Sequence, residues 1–158
     1  MGCGKSSAGR ELARLLSADF VDLDELVVER EGRSIPEIFL DGEPAFRKAE
    51  REALASLLEG ELAQPLVIAL GGGTLTDGAS RSLVFGRSRC VWLRTSLEAI
   101  RRRLGESDPT RPLFKDAARL FAEREPLYSQ AELLVDTDDA SPREVAERIA
   151  RMLGAAGR

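Results

Sequence analysis

The chain has 158 residues, of which 43% are apolar and 32% charged, and its formal net charge is −4. These values are typical of one globular domain, and the acidic balance argues against general nucleic-acid binding, which would need a basic face. The absence of histidine excludes the usual general base, the usual zinc ligand and every Ser-His nucleophile pair. The groups that remain available for catalysis are Asp, Lys, Arg, backbone N–H groups and a hard metal ion, and together they suit phosphoryl transfer.

No apolar run approaches the roughly 20 residues that cross a bilayer, and no signal peptide precedes the first motif. We therefore expect a cytoplasmic protein without a membrane partner. Its two cysteines, Cys3 and Cys90, fit reduced thiols better than a disulfide framework.

The apolar spacing predicts helices that alternate with short strands along the whole chain. Helices are predicted at 5–17, 24–31, from Ser34 onwards, 44–58, 97–104, 116–124 and 141–153, and strands at 20–21, 66–70, 90–93 and 133–136. Residues 105–112 have the composition of a loop. Strands alternating with helices predict an α/β fold with a parallel sheet, and the absence of a repeat or linker predicts a single domain, 1–158.

Gly4-Lys5-Ser6 has the form of the end of a G-x-x-x-x-G-K-S phosphate loop. In the complete loop, backbone N–H groups surround the phosphates, the lysine reaches them and the serine hydroxyl binds Mg²⁺. The first glycine of the motif would fall before Met1. The alternative interpretation is a basic residue near the start of a helix.

Asp22 and Asp24 follow a predicted strand. At the carboxyl end of a parallel strand they would lie in the ligand crevice, and alternate residues of an extended chain share one face. One carboxylate could help to hold a hydrated metal while the other meets a substrate hydroxyl. The alternative is a solvated acidic cap on the next helix.

Gly71-Gly72-Gly73 follows the apolar strand at 66–70. Three glycines leave backbone N–H groups bare and allow close approach of a ligand, whereas the alternative is a plain flexible turn.

Guanidinium groups suit a carboxylate ligand. Arg47 has Glu50 three residues later to orient it, and Arg111 lies in a loop suited to closing over a ligand. Any single arginine could instead be a surface charge, as we expect for 101–103.

In order and spacing, these motifs resemble those of the shikimate kinase family over essentially the whole chain. The matching segments are 2–6, 22–24, 42–47 with Glu50, 71–73, 110–113, 124–128 and 136–138. The resemblance implies a nucleoside-monophosphate-kinase-like P-loop fold with a parallel sheet of order 2-3-1-4-5, a substrate-binding section at 33–61 and a lid at 105–116. It also implies transfer of the γ-phosphate of MgATP to the 3-hydroxyl of shikimate, on the route to chorismate and the aromatic amino acids.

The family's residue roles carry over by position. The resemblance makes Lys5, Asp24 and Arg111 the catalytic residues, with Asp24 as the base, and makes Ser6 and Asp22 the Mg²⁺ residues. Shikimate would be bound by Asp24, Arg47, Gly71, Gly72, Gly73 and Arg124. ATP would be bound by Gly2, Cys3, Gly4, Lys5, Ser6, Ser7 and Arg111.

Two departures from the family pattern bear on these expectations. Ala140 stands where the family often has Arg or Gln, which leaves the adenine contacts open. The strand that would precede the phosphate loop is the central one, so we expect four parallel strands with the central place unfilled.

Two alternatives remain open: a kinase for a related polyol acid such as gluconate, and an N-terminally truncated relative that is weakly active or non-catalytic. The expected partners are shikimate and ATP, with no nucleic acid and no membrane, and the expected state is a monomer.

Overall fold

A computed structural model of the chain describes residues 4–61, 63–96, 98–99 and 117–156. The helices are α1 (Lys5–Leu16), α2 (Leu23–Glu31), α3 (Ile35–Phe39), α4 (Glu43–Leu58), α5 (Gly78–Arg87), α6 (Ala117–Tyr128) and α7 (Pro142–Ala156). The strands are β1 (Asp19–Asp22), β2 (Leu66–Ala69), β3 (Val91–Arg94) and β4 (Leu133–Asp136), and a 3₁₀ turn occupies Thr74–Thr76. The expected lid at 105–116 and most of the predicted helix at 97–104 lie outside the described residues.

Local sequence signals explain where several helices begin. Asp22 caps α2 by accepting a hydrogen bond from the backbone N–H of Asp24 at 3.1 Å. Asp77 caps α5 in the same way through Ser80 N–H, at 2.8 Å. Ser34 and Glu37 form the capping box of α3. Each cap satisfies backbone donors that the first turn of a helix leaves unpaired.

The four strands form two parallel pairs, β1 with β2 and β3 with β4. Within the described ranges no ladder joins β2 to β3, so the pairs are separate two-stranded sheets. In the family order 2-3-1-4-5, β1 and β2 correspond to strands 2 and 3, and β3 and β4 correspond to strands 4 and 5. The two pairs therefore lie on either side of the place of the central strand. The expectation of four parallel strands is confirmed, with shifts of one residue at some ends.

Helices cover the strands on both faces. On one face, α1 and α7 pack together, and their buried residues, such as Leu12 and Ile149, share a core with Val67 of β2 and Val91 of β3. This core therefore spans both strand pairs. The second core holds the buried residues Leu23, Val27, Ile38, Phe46, Ala53, Leu54, Leu75 and Val84. The two cores leave the carboxyl ends of β1 and β2 beside the start of α1.

Two features differ from the sequence prediction. Helix α6 continues beyond the predicted end at Arg124 and through Pro126 to Tyr128. Proline removes one backbone hydrogen bond from a helix, but Leu127 and Tyr128 pack against the second core and hold this last turn. Helix α5 was not predicted, although Asp77 as a cap was a usable signal for it.

In the described part of the chain, no helix is long and apolar enough to cross a membrane.

Candidate active site

The first turn of α1 is arranged for an anion. Its N-cap is Gly4, which has φ 78° and offers no side-chain cap, and the first turn carries no acidic residue. The first hydrogen bond of the helix is from Ala8 N–H to the Gly4 carbonyl at 2.9 Å, so the N–H groups of Lys5, Ser6 and Ser7 precede the helical ladder. Unpaired N–H groups and the positive end of the helix dipole favour a phosphate at this position.

Ser6 and Asp22 lie together where α1 begins and β1 ends. The Ser6 hydroxyl donates to Oδ2 of Asp22 at 2.5 Å, while Oδ1 of the same carboxylate caps α2. The acidic-cap interpretation is therefore correct for Asp22, and it is compatible with a second contact to the phosphate loop. A hydroxyl and a carboxylate side by side are hard oxygen donors of the kind that bind Mg²⁺.

Asp24 lies in the first turn of α2 and is partly buried. Burial raises the pKa of its carboxyl group, and the neighbouring charges of Asp22 and Glu50 raise it further, while Lys5 and Arg47 act in the opposite direction. A raised pKa makes the carboxylate a better proton acceptor than an exposed aspartate would be. The same electrostatic interactions place Asp24 within range of the phosphate loop and of Arg47.

Glu50 is fully buried and holds Arg47 in place. Its carboxylate accepts from Nη1 of Arg47 at 2.7 Å and from the Thr74 hydroxyl at 2.6 Å. Arg47 also donates from Nε and Nη2 to Glu43, at 3.2 and 3.1 Å. The expected orientation of Arg47 by Glu50 is confirmed, and the remaining N–H groups of the guanidinium are left for a ligand.

The glycine turn after β2 lies directly against these charged groups. A Cβ on Gly71 would stand 2.9 Å from Oδ1 of Asp24 and 2.8 Å from Oε1 of Glu50. A Cβ on Gly73 would overlap the guanidinium of Arg47, with Cζ at 2.9 Å. A side chain at either position would have to displace one of these charged groups, so the turn is packed against them and is not the plain flexible turn of the alternative interpretation.

The backbone N–H groups of the glycine turn are available as hydrogen-bond donors. In the described part of the chain, the N–H groups of Gly71, Gly72 and Gly73 make no hydrogen bond, whereas all three carbonyls accept one. Consecutive bare N–H groups beside an arginine form a site for an anionic group such as a carboxylate. This is the most specific chemical feature of the site.

Arg124 lies on α6, the helix that contacts the glycine turn. It makes no hydrogen bond or ion pair with any residue that the structure describes. One turn later on the same helix, the hydroxyl of Tyr128 donates to the Gly72 carbonyl. Its ring lies beside that of Trp92, with the ring centroids 6.0 Å apart. Helix α6 is thus attached to the glycine turn close to Arg124.

Of the predicted site residues, the structure brings together Lys5, Ser6, Asp22, Asp24, Arg47 and the three glycines. Gly2, Cys3 and Arg111 lie outside the described residues. Sequence reasoning assigned no role to Thr74 or Tyr128, although Tyr128 belongs to the matched segment 124–128. A hydroxyl directly after the three glycines was the available signal for Thr74.

Comparison with known proteins identifies the family. The shikimate kinase family model matches residues 1–154. The chain belongs to the shikimate kinase family. A shikimate kinase from Caulobacter vibrioides is 42% identical over 153 residues, which cover 92% of this chain and 74% of the relative. One from Francisella tularensis subsp. novicida is 38% identical over 161 aligned positions, covering 97% and 90%.

Solved structures agree with this assignment. A shikimate kinase from Acinetobacter baumannii in complex with shikimate has a TM-score of 0.89 and 32% identity, covering 99% of this chain and 89% of that one. The shikimate kinase from Aquifex aeolicus has a TM-score of 0.83 and 36% identity, covering 99% and 93%. The expected fold class is confirmed, and the chain is a member of a family of ATP-dependent kinases. Neither a gluconate kinase nor a non-catalytic relative is favoured by these findings.

Proposed function

We propose that this chain transfers the γ-phosphate of ATP to the 3-hydroxyl of shikimate. The observation that carries the proposal is the glycine turn, which has bare N–H groups and lies next to the Arg47 guanidinium at Gly73 and next to the Asp24 carboxylate at Gly71. Shikimate carries a carboxylate and hydroxyl groups on one ring. The turn therefore offers shikimate an anion-binding side and a proton-accepting side.

The carboxylate of shikimate would be held by Arg47, Arg124 and the N–H groups of Gly71, Gly72 and Gly73. Guanidinium groups bind carboxylates through paired, charge-assisted hydrogen bonds, which fix the orientation of the ligand. Arg47 is preorganised for this role because Glu50 and Glu43 hold it. Gluconate also has a carboxylate, so the discrimination between the two acids would come from the hydroxyls of the ring and the shape of the pocket.

Asp24 would accept the proton of the attacking hydroxyl. Its raised pKa and its position between the glycine turn and Lys5 support this role. Lys5 and the N–H groups at the start of α1 would neutralise charge on the phosphates of ATP. Positioning and charge neutralisation are the main contributions that a protein makes to phosphoryl transfer.

The oxygen donors of Ser6 and Asp22 fit a Mg²⁺ ion. Ser6 would bind the ion through its hydroxyl, and Asp22 would support it through water. Mg²⁺ usually takes one or two protein oxygens and completes its shell with water and phosphate, and the described residues contain no cluster of three or more acidic, His or Cys side chains for a metal. When bound, the ion would supply positive charge to the phosphates.

The remaining assignments rest on the family resemblance. Arg111 would reach over the phosphates from a lid at 105–116, Gly2 and Cys3 would complete the phosphate loop, and 33–61 would be the substrate-binding section. Helices α3 and α4, which carry Arg47 and Glu50, fall within that section. A monomeric state and a cytoplasmic location remain predictions.

A coupled assay of ADP release tests the proposal. We expect turnover that requires both Mg²⁺ and shikimate, with gluconate as a poor substitute. Arg47→Ala should raise the shikimate concentration that turnover requires, because Arg47 is proposed to bind the carboxylate. Its matched control is Lys48→Ala, because Lys48 is the next residue, is exposed, and pairs only weakly with Glu52 at 3.9 Å. Shikimate-independent ATP hydrolysis alone, or a preference for gluconate, would refute the proposal.

A further inference from the structure

The three carbonyls of the glycine turn are held by three hydroxyl groups. The Gly71 carbonyl accepts from Thr74 Oγ1 at 3.1 Å and from Thr74 N–H at 3.3 Å. The Gly73 carbonyl accepts from Thr76 Oγ1 at 2.6 Å and from Thr76 N–H at 2.9 Å. Each of these two carbonyls therefore has a local backbone donor as well as a hydroxyl.

The Gly72 carbonyl is held differently. Within the described residues its one donor is the hydroxyl of Tyr128, which lies 56 positions away in sequence. No backbone bond of the 3₁₀ turn duplicates this contact. The orientation of the Gly72 peptide, and with it the direction of the next N–H, therefore depends on a side chain from another element.

Tyr128 also lies close to Arg124 along the helix. The two residues are separated by four positions on α6, so they lie on the same face of the helix one turn apart. Among the described residues, Arg124 makes no hydrogen bond or ion pair that would fix it relative to the glycine turn. The last turn of α6, which Tyr128 fastens to Gly72, supplies that connection.

We propose that Tyr128 is a positioning residue for the carboxylate of shikimate, and that it acts by fixing Arg124 and the N–H groups of the glycine turn at one mutual distance. This inference rests on the proposed function. The hydroxyl donates to the Gly72 carbonyl, and the proposal assigns it no contact with the reacting oxygen or the phosphates. It contributes to substrate binding, equally in the ground state and the transition state, and leaves ATP binding unchanged.

The substitution Tyr128→Phe tests the role of the hydroxyl, since it keeps the ring against Trp92. We expect the shikimate KM and the calorimetric Kd for shikimate to rise roughly 3- to 10-fold, as for one hydrogen bond. The kcat and the ATP KM should stay within about 2-fold of the parent on the same reasoning. Trp92 is the one tryptophan of the chain, so an unchanged emission spectrum shows that the ring remains packed.

A double-mutant cycle with Arg124→Ala separates positioning from a purely structural role. If Tyr128 acts partly through Arg124, Tyr128→Phe should weaken shikimate binding clearly less when Arg124 is already absent than in the parent, and the remaining loss is the part carried by the N–H groups of the glycine turn. Ser129→Ala is the control, because this exposed hydroxyl at the same helix end donates only to the Pro126 carbonyl and should leave every parameter unchanged.

Two outcomes overturn the inference. One is an equal rise in the ATP and shikimate KM values, which would indicate general loosening of the site. The other is a full, additive effect in the Arg124→Ala background. Failure of the proposed function is recognised separately, because the unsubstituted protein would then show no shikimate binding in the calorimeter.

Discussion

Removal of Arg47 should affect the protein in two distinct ways. Its side chain is only 16% exposed and pairs at 2.7 Å with Glu50, which is 0% exposed. Among the described residues, Arg47→Ala leaves the buried Glu50 carboxylate with the Thr74 hydroxyl as its one hydrogen-bond partner. Breaking a buried ion pair from one side costs about 3–5 kcal/mol. For a domain of this size each kcal/mol lowers Tm by about 2–4 °C, so we expect a fall of roughly 6–20 °C.

The same substitution should also weaken shikimate binding. Loss of a charge-assisted contact to a carboxylate costs on the order of 1.5–3 kcal/mol, which corresponds to about 10- to 150-fold in Kd. Arg124→Ala should cause a similar loss of shikimate affinity with little change in Tm, because Arg124 has no partner to leave unpaired among the described residues. ATP affinity should change far less than shikimate affinity in both variants.

Thermal melts and calorimetric titrations of the two variants measure both effects. The double variant Arg47→Ala/Glu50→Gln removes the buried charge as well, so it should recover much of the lost Tm while shikimate binding stays weak. Lys48→Ala supplies the control for loss of one positive charge from α4. Equal Tm values for the single and double variants would show that the buried carboxylate is not the cause, and equal losses of ATP and shikimate affinity would contradict the carboxylate-binding role.

Three further predictions concern the same region. Asp24→Asn should lower kcat by about 100-fold or more, because an amide cannot accept the proton; activity within a few-fold of the parent would contradict the role of base. Since burial and neighbouring carboxylates raise the pKa of Asp24, its ionised form opposes folding above the ordinary carboxyl pKa. Asp24→Asn should therefore melt at or above the parent temperature at pH 7, with the difference vanishing as the pH falls below about 4; a lower Tm at pH 7 would refute this. Gly73→Ala should displace Arg47 and raise the shikimate KM more than the ATP KM, and equal KM values before and after would show that the site adapts.

Part of the fold was predictable because its signals are local. Ser34 with Glu37, Asp22 before an apolar helix, and glycines after a buried strand each act within a few residues of the chain. The structure confirms the four parallel strands and most helices from such signals. Helix α6 shows their limit, because Pro126 predicts an early end while packing of Leu127 and Tyr128 extends the helix.

Some features of the candidate site were likewise predictable from the sequence, and others depend on the tertiary structure. The sequence alone determined the family, through motifs in a fixed order, and with it the residue types that bind phosphate, carboxylate and hydroxyl groups. Only the tertiary structure decided that Thr74 bonds Glu50 across 24 residues and that Tyr128 bonds Gly72 across 56. A single hydroxyl in a sequence has many possible partners, and its choice depends on how distant helices pack against the strands. Burial is also a property of the packed chain, and it is burial that raises the pKa of Asp24 and ties the stability of the protein to Arg47.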